Sequence, residues 1–237
     1  MTAESERSGP TTAVEHDVLN AQQDHWHATF AQKPAMFGTE PSQPARAALD
    51  LFAREGVHNV LELGAGQGRD TVFFAAQGLR VHAVDYTASA VDQIRWAAQS
   101  AGTEDRVQVT QHDIRERLPF ADGSFDACYS HMLFCMALTT AELERLAGEV
   151  RLILRPGGLH VYTVRTIEDP HYRAGIDRGD DMFEVGGFVV HFFAPSLIER
   201  LAAGYELLDV TAFEESALPR RLVRVTMRRR DTDGRDG

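Results

Sequence analysis

At 237 residues, 43% of them hydrophobic, the chain is long enough to bury one substantial core and short for two complete domains. A formal net charge of −11 and a pI near 5.3 argue against a protein whose main work is neutralising nucleic-acid phosphates. The two cysteines, Cys128 and Cys135, have no spacing that suggests a disulfide framework or a zinc site, so no metal is expected.

The predicted elements run in order from a polar start. Residues 1–13 and 231–237 carry too few apolar side chains to offset their ordering entropy, and both are expected to be disordered tails around one domain, 14–230. Val14, Leu19, Trp26 and Phe30 on a polar background predict an amphipathic helix over 14–33. "KPAMFGTEPSQPA" breaks it, and a second helix follows from Arg46 to Glu55, with Gly56 as its terminator. Residues 14–56 then read as an N-terminal helical lid.

Beyond Gly56, short apolar runs alternate with helical segments, the pattern of βαβ units and a parallel sheet. The strands are "NVLELG", "LRVHAVD", "RVQVTQHD", "SFDACYSHML" and "GLHVYTV". Helices are predicted at about 69–77, 88–100, near 115, and 140–154. An irregular, substrate-side insertion is expected over 166–192, before a helix at "APSLIERLAAG" and two closing strands, "YELLDVTAFEES" and "RLVRVTMRRR". No apolar run approaches the roughly 18 residues of a membrane span, and no charged-then-apolar leader opens the chain; a soluble, cytoplasmic protein is expected.

The stretch "VLELGAGQGRD" concentrates the chemistry. Gly64, Gly66 and Gly68 follow a strand and precede a helix, where glycine lets backbone approach a ligand and the helix start offers unpaired N–H groups. A dinucleotide fingerprint would place its last glycine at position 69, which is Arg69, so a pyrophosphate is not the expected ligand. Asp85, at the end of the second strand, can accept from two adjacent ribose hydroxyls. Asp113 can accept from an adenine amino group while Ile114 covers the ring, or it can be an ordinary turn residue.

Taken together, "LELGAGQGRD", "VHAVDYT", "HDIRERLPFADGSFDACYSHMLF" and "VRLILRPGGLHVYTV" resemble the class I S-adenosylmethionine-dependent methyltransferases over about residues 57–165. The resemblance implies an α/β fold of Rossmann-like, doubly wound, three-layer α/β/α type. Its seven-stranded, mostly parallel sheet would have an antiparallel last strand. It implies S-adenosyl-L-methionine as cofactor. Glu62, Gly64, Ala65, Gly66, Gly68 and Arg69 would lie around the methionine moiety, Asp85 at the ribose, Asp113 and Ile114 at the adenine, with Tyr86 beside the ring and Ser130 also in the site. Ala65 stands where cysteine is common in the family.

The acceptor must be read from outside that core. His131 sits where the family places residues near the reactive methyl, as a base, a substrate contact, or a wall of the pocket. Residues 26–45 and "SLIERLAAGYELLD" are similar to tellurite-resistance and thiopurine-type methyltransferases, which implies a small-molecule acceptor with a soft S, Se or Te nucleophile; an O- or N-methyltransferase is the alternative. Neither a nucleic-acid nor a membrane partner is expected. Trp26 and Phe37 are candidate lid residues, and Arg165, His171, Arg173 and His191 could hold an anionic acceptor, or pair with nearby carboxylates as a solvated loop. Two further readings stay open: a nucleotide-dependent oxidoreductase and a non-catalytic cofactor-binding protein.

Overall fold

The structure, a computed structural model, describes residues 16–33, 36–214 and 220–231. The tails expected at 1–13 and 231–237 lie outside the described residues, apart from Asp231. In chain order the elements are α1 (His16–Gln32), α2 (Gln43–Arg54), β1 (Asn59–Leu63), α3 (Arg69–Ala76), β2 (Arg80–Asp85), α4 (Ala88–Ser100), β3 (Val107–Gln111), β4 (Phe125–His131), α5 (Thr140–Ile153), β5 (Leu154–Arg165), β6 (Ile176–Asp177), β7 (Met182–Val185), β8 (Phe188–His191), α6 (Pro195–Leu201), β9 (Tyr205–Glu214) and β10 (Arg221–Arg229).

Seven strands form one sheet in the order β3-β2-β1-β4-β5-β10-β9. Five are parallel, and β10 runs antiparallel between β5 and β9, as the seven-stranded expectation required. β1 is buried on both faces, which is why its "VLEL" reads as a continuous run rather than an alternation. Leu61, Leu63, Cys128 and Tyr162 face a core completed by Leu143, Leu146 and Val150 of α5 and Leu197 of α6. Val60, Ala127, Tyr129 and Val161 face the other core, with Ala48 and Phe52 of α2 and Phe74 of α3. The order reverses between β1 and β4, and this switch point opens the crevice at the strands' carboxyl ends.

Side chains fix where the helices begin. Ser42 caps α2 by accepting from the Ala45 amide, Thr87 caps α4 through Ala90, and Thr139 with Glu142 makes a capping box on α5. Ser42 also bridges layers. Its amide and hydroxyl donate to the Asp70 carboxylate at 2.8 and 2.7 Å, and the Tyr129 hydroxyl donates to the same carboxylate at 3.1 Å. This buried knot joins the start of α2, the start of α3 and the middle of β4.

Three expectations need correction. The segment near 115 is a turn closed by Glu116 N–H to Asp113 O, not a helix. β4 stops at His131, because Met132 takes φ 63° and turns the chain out of the sheet. The stretch 166–192 is not irregular: β6, β7 and β8 form an antiparallel sheet, in which Gly186 and Gly187, both at positive φ, make the β7–β8 turn.

Asp70→Ala would leave the Ser42 amide and hydroxyl and the Tyr129 hydroxyl without their buried acceptor. A loss of about 2–4 kcal/mol in urea unfolding is expected; a loss below ~1 kcal/mol would show that the knot does not brace the layers.

Candidate active site

The glycine turn leaves β1 at the switch point. The Gly64 and Ala65 amides both donate to the Val84 carbonyl of β2, at 2.8 and 3.1 Å, and Gly68 N–H closes back on Ala65 O. Gly66 N–H then donates to Asp85 Oδ2 at 3.0 Å, while the Thr87 amide and hydroxyl hold Oδ1. Gly68, at φ 82°, has no room for a side chain because a Cβ would lie 3.1 Å from Ile94 Cα of α4. Gly66 is different: its missing Cβ faces only the rings of Phe30 and Phe37, at 3.7 and 4.0 Å. The third alternate glycine, Gly64, lies under the Leu133 side chain.

Asp85 is buried at the carboxyl end of β2, and that burial raises its pKa despite the Thr87 and Gly66 hydrogen bonds that pull it down. Such a carboxylate is stabilised by further donors, which the adjacent hydroxyls of a ribose are able to supply. Among the described residues the buried Ser130 hydroxyl, one residue before the end of β4, has no hydrogen-bond partner. A backbone approach at Gly66, a buried carboxylate at Asp85 and an unpartnered hydroxyl at Ser130 fit an adenosine-bearing ligand laid along the switch point.

Glu62 and Arg69 are both engaged by neighbouring protein groups. Glu62 is buried beneath α3, where the Thr71 hydroxyl donates to it at 2.5 Å. Burial, aided by the nearby Asp70 charge, pushes its pKa up to about 8. The Arg69 guanidinium donates to the Phe37 carbonyl at 3.0 Å, lies 3.4 Å from Asp70 and sits over the Phe37 ring. It therefore fastens the loop after α1 to the start of α3.

α1 lies across this crevice and is held largely by amide side chains. Gln23 donates to Tyr86 O at 2.8 Å, Gln67 to Lys33 O at 2.8 Å and Gln93 to Phe30 O at 3.1 Å. The Tyr86 hydroxyl reaches Gln22 O. Trp26 packs against Phe30 at 5.2 Å and Phe188 of β8 at 4.6 Å, and Phe30 meets Phe37 at 6.2 Å, so aromatic rings roof the glycine turn. Gln22 joins the same helix to the insertion sheet, donating to Gly187 O and accepting from Val189 N.

Asp113 and Ile114 follow β3, with Ile114 buried and its carbonyl bonded to Arg145. Burial alone would raise the Asp113 pKa, but Arg115 donates through its amide and guanidinium and holds it below the usual range. His131 ends β4, its Nδ1 2.8 Å from Thr163 Oγ1 of β5. The same hydroxyl oxygen accepts from Met132 N–H at 2.9 Å, which fixes both the ring and the turn that follows.

Several cations of the insertion have partners close by in the chain. Arg165 pairs bidentately with buried Asp169 and touches His171 Nδ1 at 2.6 Å. Arg173 lies over the Tyr172 ring, and Arg178 bonds Glu184. His191 is buried against Leu138 O at 2.7 Å, with its pKa lowered by burial. Sequence reasoning passed over Gln22, Gln23, Leu133, Thr163 and Phe188. Only Phe188 had a signal, the two-glycine hairpin in "FEVGGFVVHF".

Residues 60–158 match the family model described as a methyltransferase domain. Among curated proteins, the chain is 29% identical to 24-methylenesterol C-methyltransferase 2 of Oryza sativa over 170 residues, covering 65% of this chain and 46% of that protein. The chain thus spans about half the length of the curated relatives it matches. Among solved structures, the Burkholderia thailandensis 1,6-didemethyltoxoflavin-N1-methyltransferase superposes with a TM-score of 0.70 at 22% identity, over 97% of this chain and 94% of that one. The [4+2]-cyclase SpnF superposes with a TM-score of 0.68 at 16% identity, over 94% and 99%. Over residues 60–158 the chain is therefore similar to a methyltransferase domain, and its seven-stranded sheet is the fold it shares with these solved structures. No helix among the described residues is long and apolar enough to cross a membrane.

Because Glu62 is raised from 4.5 to about 8, its contribution to stability is complete below pH ~4.5 and is lost as the pH rises through ~8. Glu62→Gln removes this titration. Its stability relative to the parent should rise between pH 4.5 and 8 by roughly 2–5 kcal/mol and level off above, measured by denaturant unfolding across pH. Parallel profiles would contradict the burial of an ionising Glu62.

Proposed function

We propose that this protein transfers a methyl group from S-adenosylmethionine to a small, neutral and largely apolar acceptor. The observation that carries the cofactor half is the Gly66–Asp85 contact: a turn with bare backbone is pinned to a buried carboxylate across the switch point. Asp85 would take the ribose hydroxyls, Asp113 the adenine amino group and Ile114 the ring face. Tyr86 would lie beside the ring, and Ser130, Gly64 and Ala65 would line the methionine end. Glu62 and Arg69 would support that end from beneath and beside it.

When bound, the cofactor supplies an electrophilic methyl on a sulfonium, transferred by one in-line displacement that leaves S-adenosylhomocysteine. The residues have correspondingly little covalent chemistry to do. They must align the acceptor and keep water out. Trp26, Phe30, Phe37 and Phe188 supply an apolar roof for that purpose, with α1 and residues 36–37 acting as the lid. His131, oriented by Thr163, would take the proton of an acceptor that arrives as a thiol, phenol or amine.

The charges narrow the acceptor. An oxyanion such as tellurite or selenite would need several unspent cations together, whereas Arg165, Arg178 and His191 are engaged by Asp169, Glu184 and the Leu138 carbonyl, and Arg173 is exposed over the Tyr172 ring. A thiol or selenol still suits a site of this kind, as does a phenol or an amine on an apolar frame. The sterol named for the rice relative is such a frame. A cyclase among proteins of the same fold keeps a non-methylating role as the competing reading.

S-adenosylhomocysteine should raise the melting temperature by several degrees at saturating concentration, whereas NAD should not. Asp85→Asn should weaken its binding at least ~10-fold, the scale of losing a buried charge-assisted pair. In turnover with a panel of thiols, phenols, amines and sterols, His131→Ala should lower the rate ~100-fold for protonated acceptors. Binding of NAD in place of S-adenosylhomocysteine would sink the cofactor assignment, and turnover of tellurite above that of the neutral acceptors would sink the acceptor class.

A further inference from the structure

Arg115 joins two parts of the site. Its amide donates to Asp113 Oδ1 at 2.9 Å, and Nε lies 3.1 and 3.0 Å from the two carboxylate oxygens. One terminal nitrogen donates to Asp113 Oδ2 at 2.6 Å. The other turns outward and donates to Asn20 Oδ1 of α1 at 2.7 Å. Asn20 belongs to the same face of α1 as Gln23, which reaches Tyr86 O, and His27, whose carbonyl accepts from Ser89. One planar guanidinium thus aims the carboxylate after β3 and tethers the helix that roofs the crevice.

We propose that Arg115 is a positioning residue that couples adenine recognition at Asp113 to closure of α1. The inference rests on the reading of Asp113 as the adenine contact. A carboxylate clamped by a guanidinium is an acceptor only, so it favours a 6-amino group over a 6-oxo group presented at the same place. Because the clamp is also the tether, a ligand that engages Asp113 meets a site already fastened to the lid. By linkage, closure and adenine binding must then strengthen each other by the same factor. Lysine could not substitute, since a single ammonium cannot hold both carboxylate oxygens and reach Asn20 in a fixed fork.

The test uses the full chain with two probes, S-adenosylhomocysteine and its 6-oxo analogue S-inosylhomocysteine. Binding is read by calorimetry and closure by hydrogen exchange of the α1 amides. In the parent, S-adenosylhomocysteine should bind at least ~10-fold more tightly than the analogue and slow exchange in 16–32. Asn20→Ala, an exposed change, should weaken S-adenosylhomocysteine ~3–10-fold and remove most of that slowing while keeping the adenine preference. Arg115→Met should lose both the slowing and the preference, and Arg115→Lys should keep most of the preference without the slowing. If Asn20→Ala retains the full slowing, or Arg115→Met retains the full preference, the coupling is wrong. The two readings fail separately: no binding of S-adenosylhomocysteine to the parent overturns the cofactor assignment, whereas binding that Asp113→Asn leaves equally selective overturns the adenine contact.

Discussion

The hydrogen bond from Gly66 N–H to Asp85 is the constraint on which the site depends. It ties the turn after β1 to the end of β2, the two places where a ligand at the switch point must be met. Glycine at 66 is what leaves that approach open, because any side chain would be directed at Phe30 and Phe37. The carboxylate is in turn oriented by Thr87, which also caps α4. One threonine therefore places both the acidic residue and the helix whose Ile94 confines Gly68. The glycine triplet is a division of labour. Gly68 serves helix packing, Gly66 serves the crevice, and Gly64 admits Leu133 close to the backbone.

Much of this was legible from residue order. β1 to β5 and the two closing strands follow from apolar runs bounded by helical periodicity, and the resemblance supplied the seven-stranded sheet with its antiparallel last strand, which no local pattern contains. The hairpin of β7 and β8 was legible too: two glycines between "FEV" and "FVVH" are a turn signal, obscured by the charged residues before it. The turn at 113–116 was misread as a helix because Arg115, Glu116 and Arg117 are good helix formers. Tertiary contacts decide otherwise there, since Asp113 captures both the Arg115 amide and its side chain.

The site divides along a similar line. Gly66, Asp85 and Asp113 stand out in the sequence because the proposed cofactor contacts demand a residue type at a fixed place. The attachment of α1 was not, since Gln23, Gln67 and Gln93 all end on backbone carbonyls, which every residue carries. Likewise, alternating charges between 165 and 184 allowed either a cationic basin or a set of pairs. Geometry chose pairs for Arg165 and Arg178, because their carboxylate partners lie four and six residues away.

The nature of the α1 contacts bears on how the crevice must work. Its roof is aromatic on the side facing the glycine turn, yet its fastenings are amide-to-carbonyl bonds, several of them partly exposed. Such bonds exchange readily with water and contribute about 1 kcal/mol each, so the helix can separate from the sheet without unfolding a core. Gln22 makes the separation cooperative. Its side-chain amide donates to the β7–β8 turn and accepts from β8, so α1 and the small sheet tend to move together. Leu19 of α1 packs with Met182 and Val189 of that sheet, strengthening the same tie. In the proposed reaction a lid joined this way would respond to both substrates, with Asp113 and Arg115 linked to α1 through Asn20 and the small sheet linked to it through Phe188 and Trp26. Water would then be excluded when both ends are occupied, the condition that the proposed in-line methyl transfer requires.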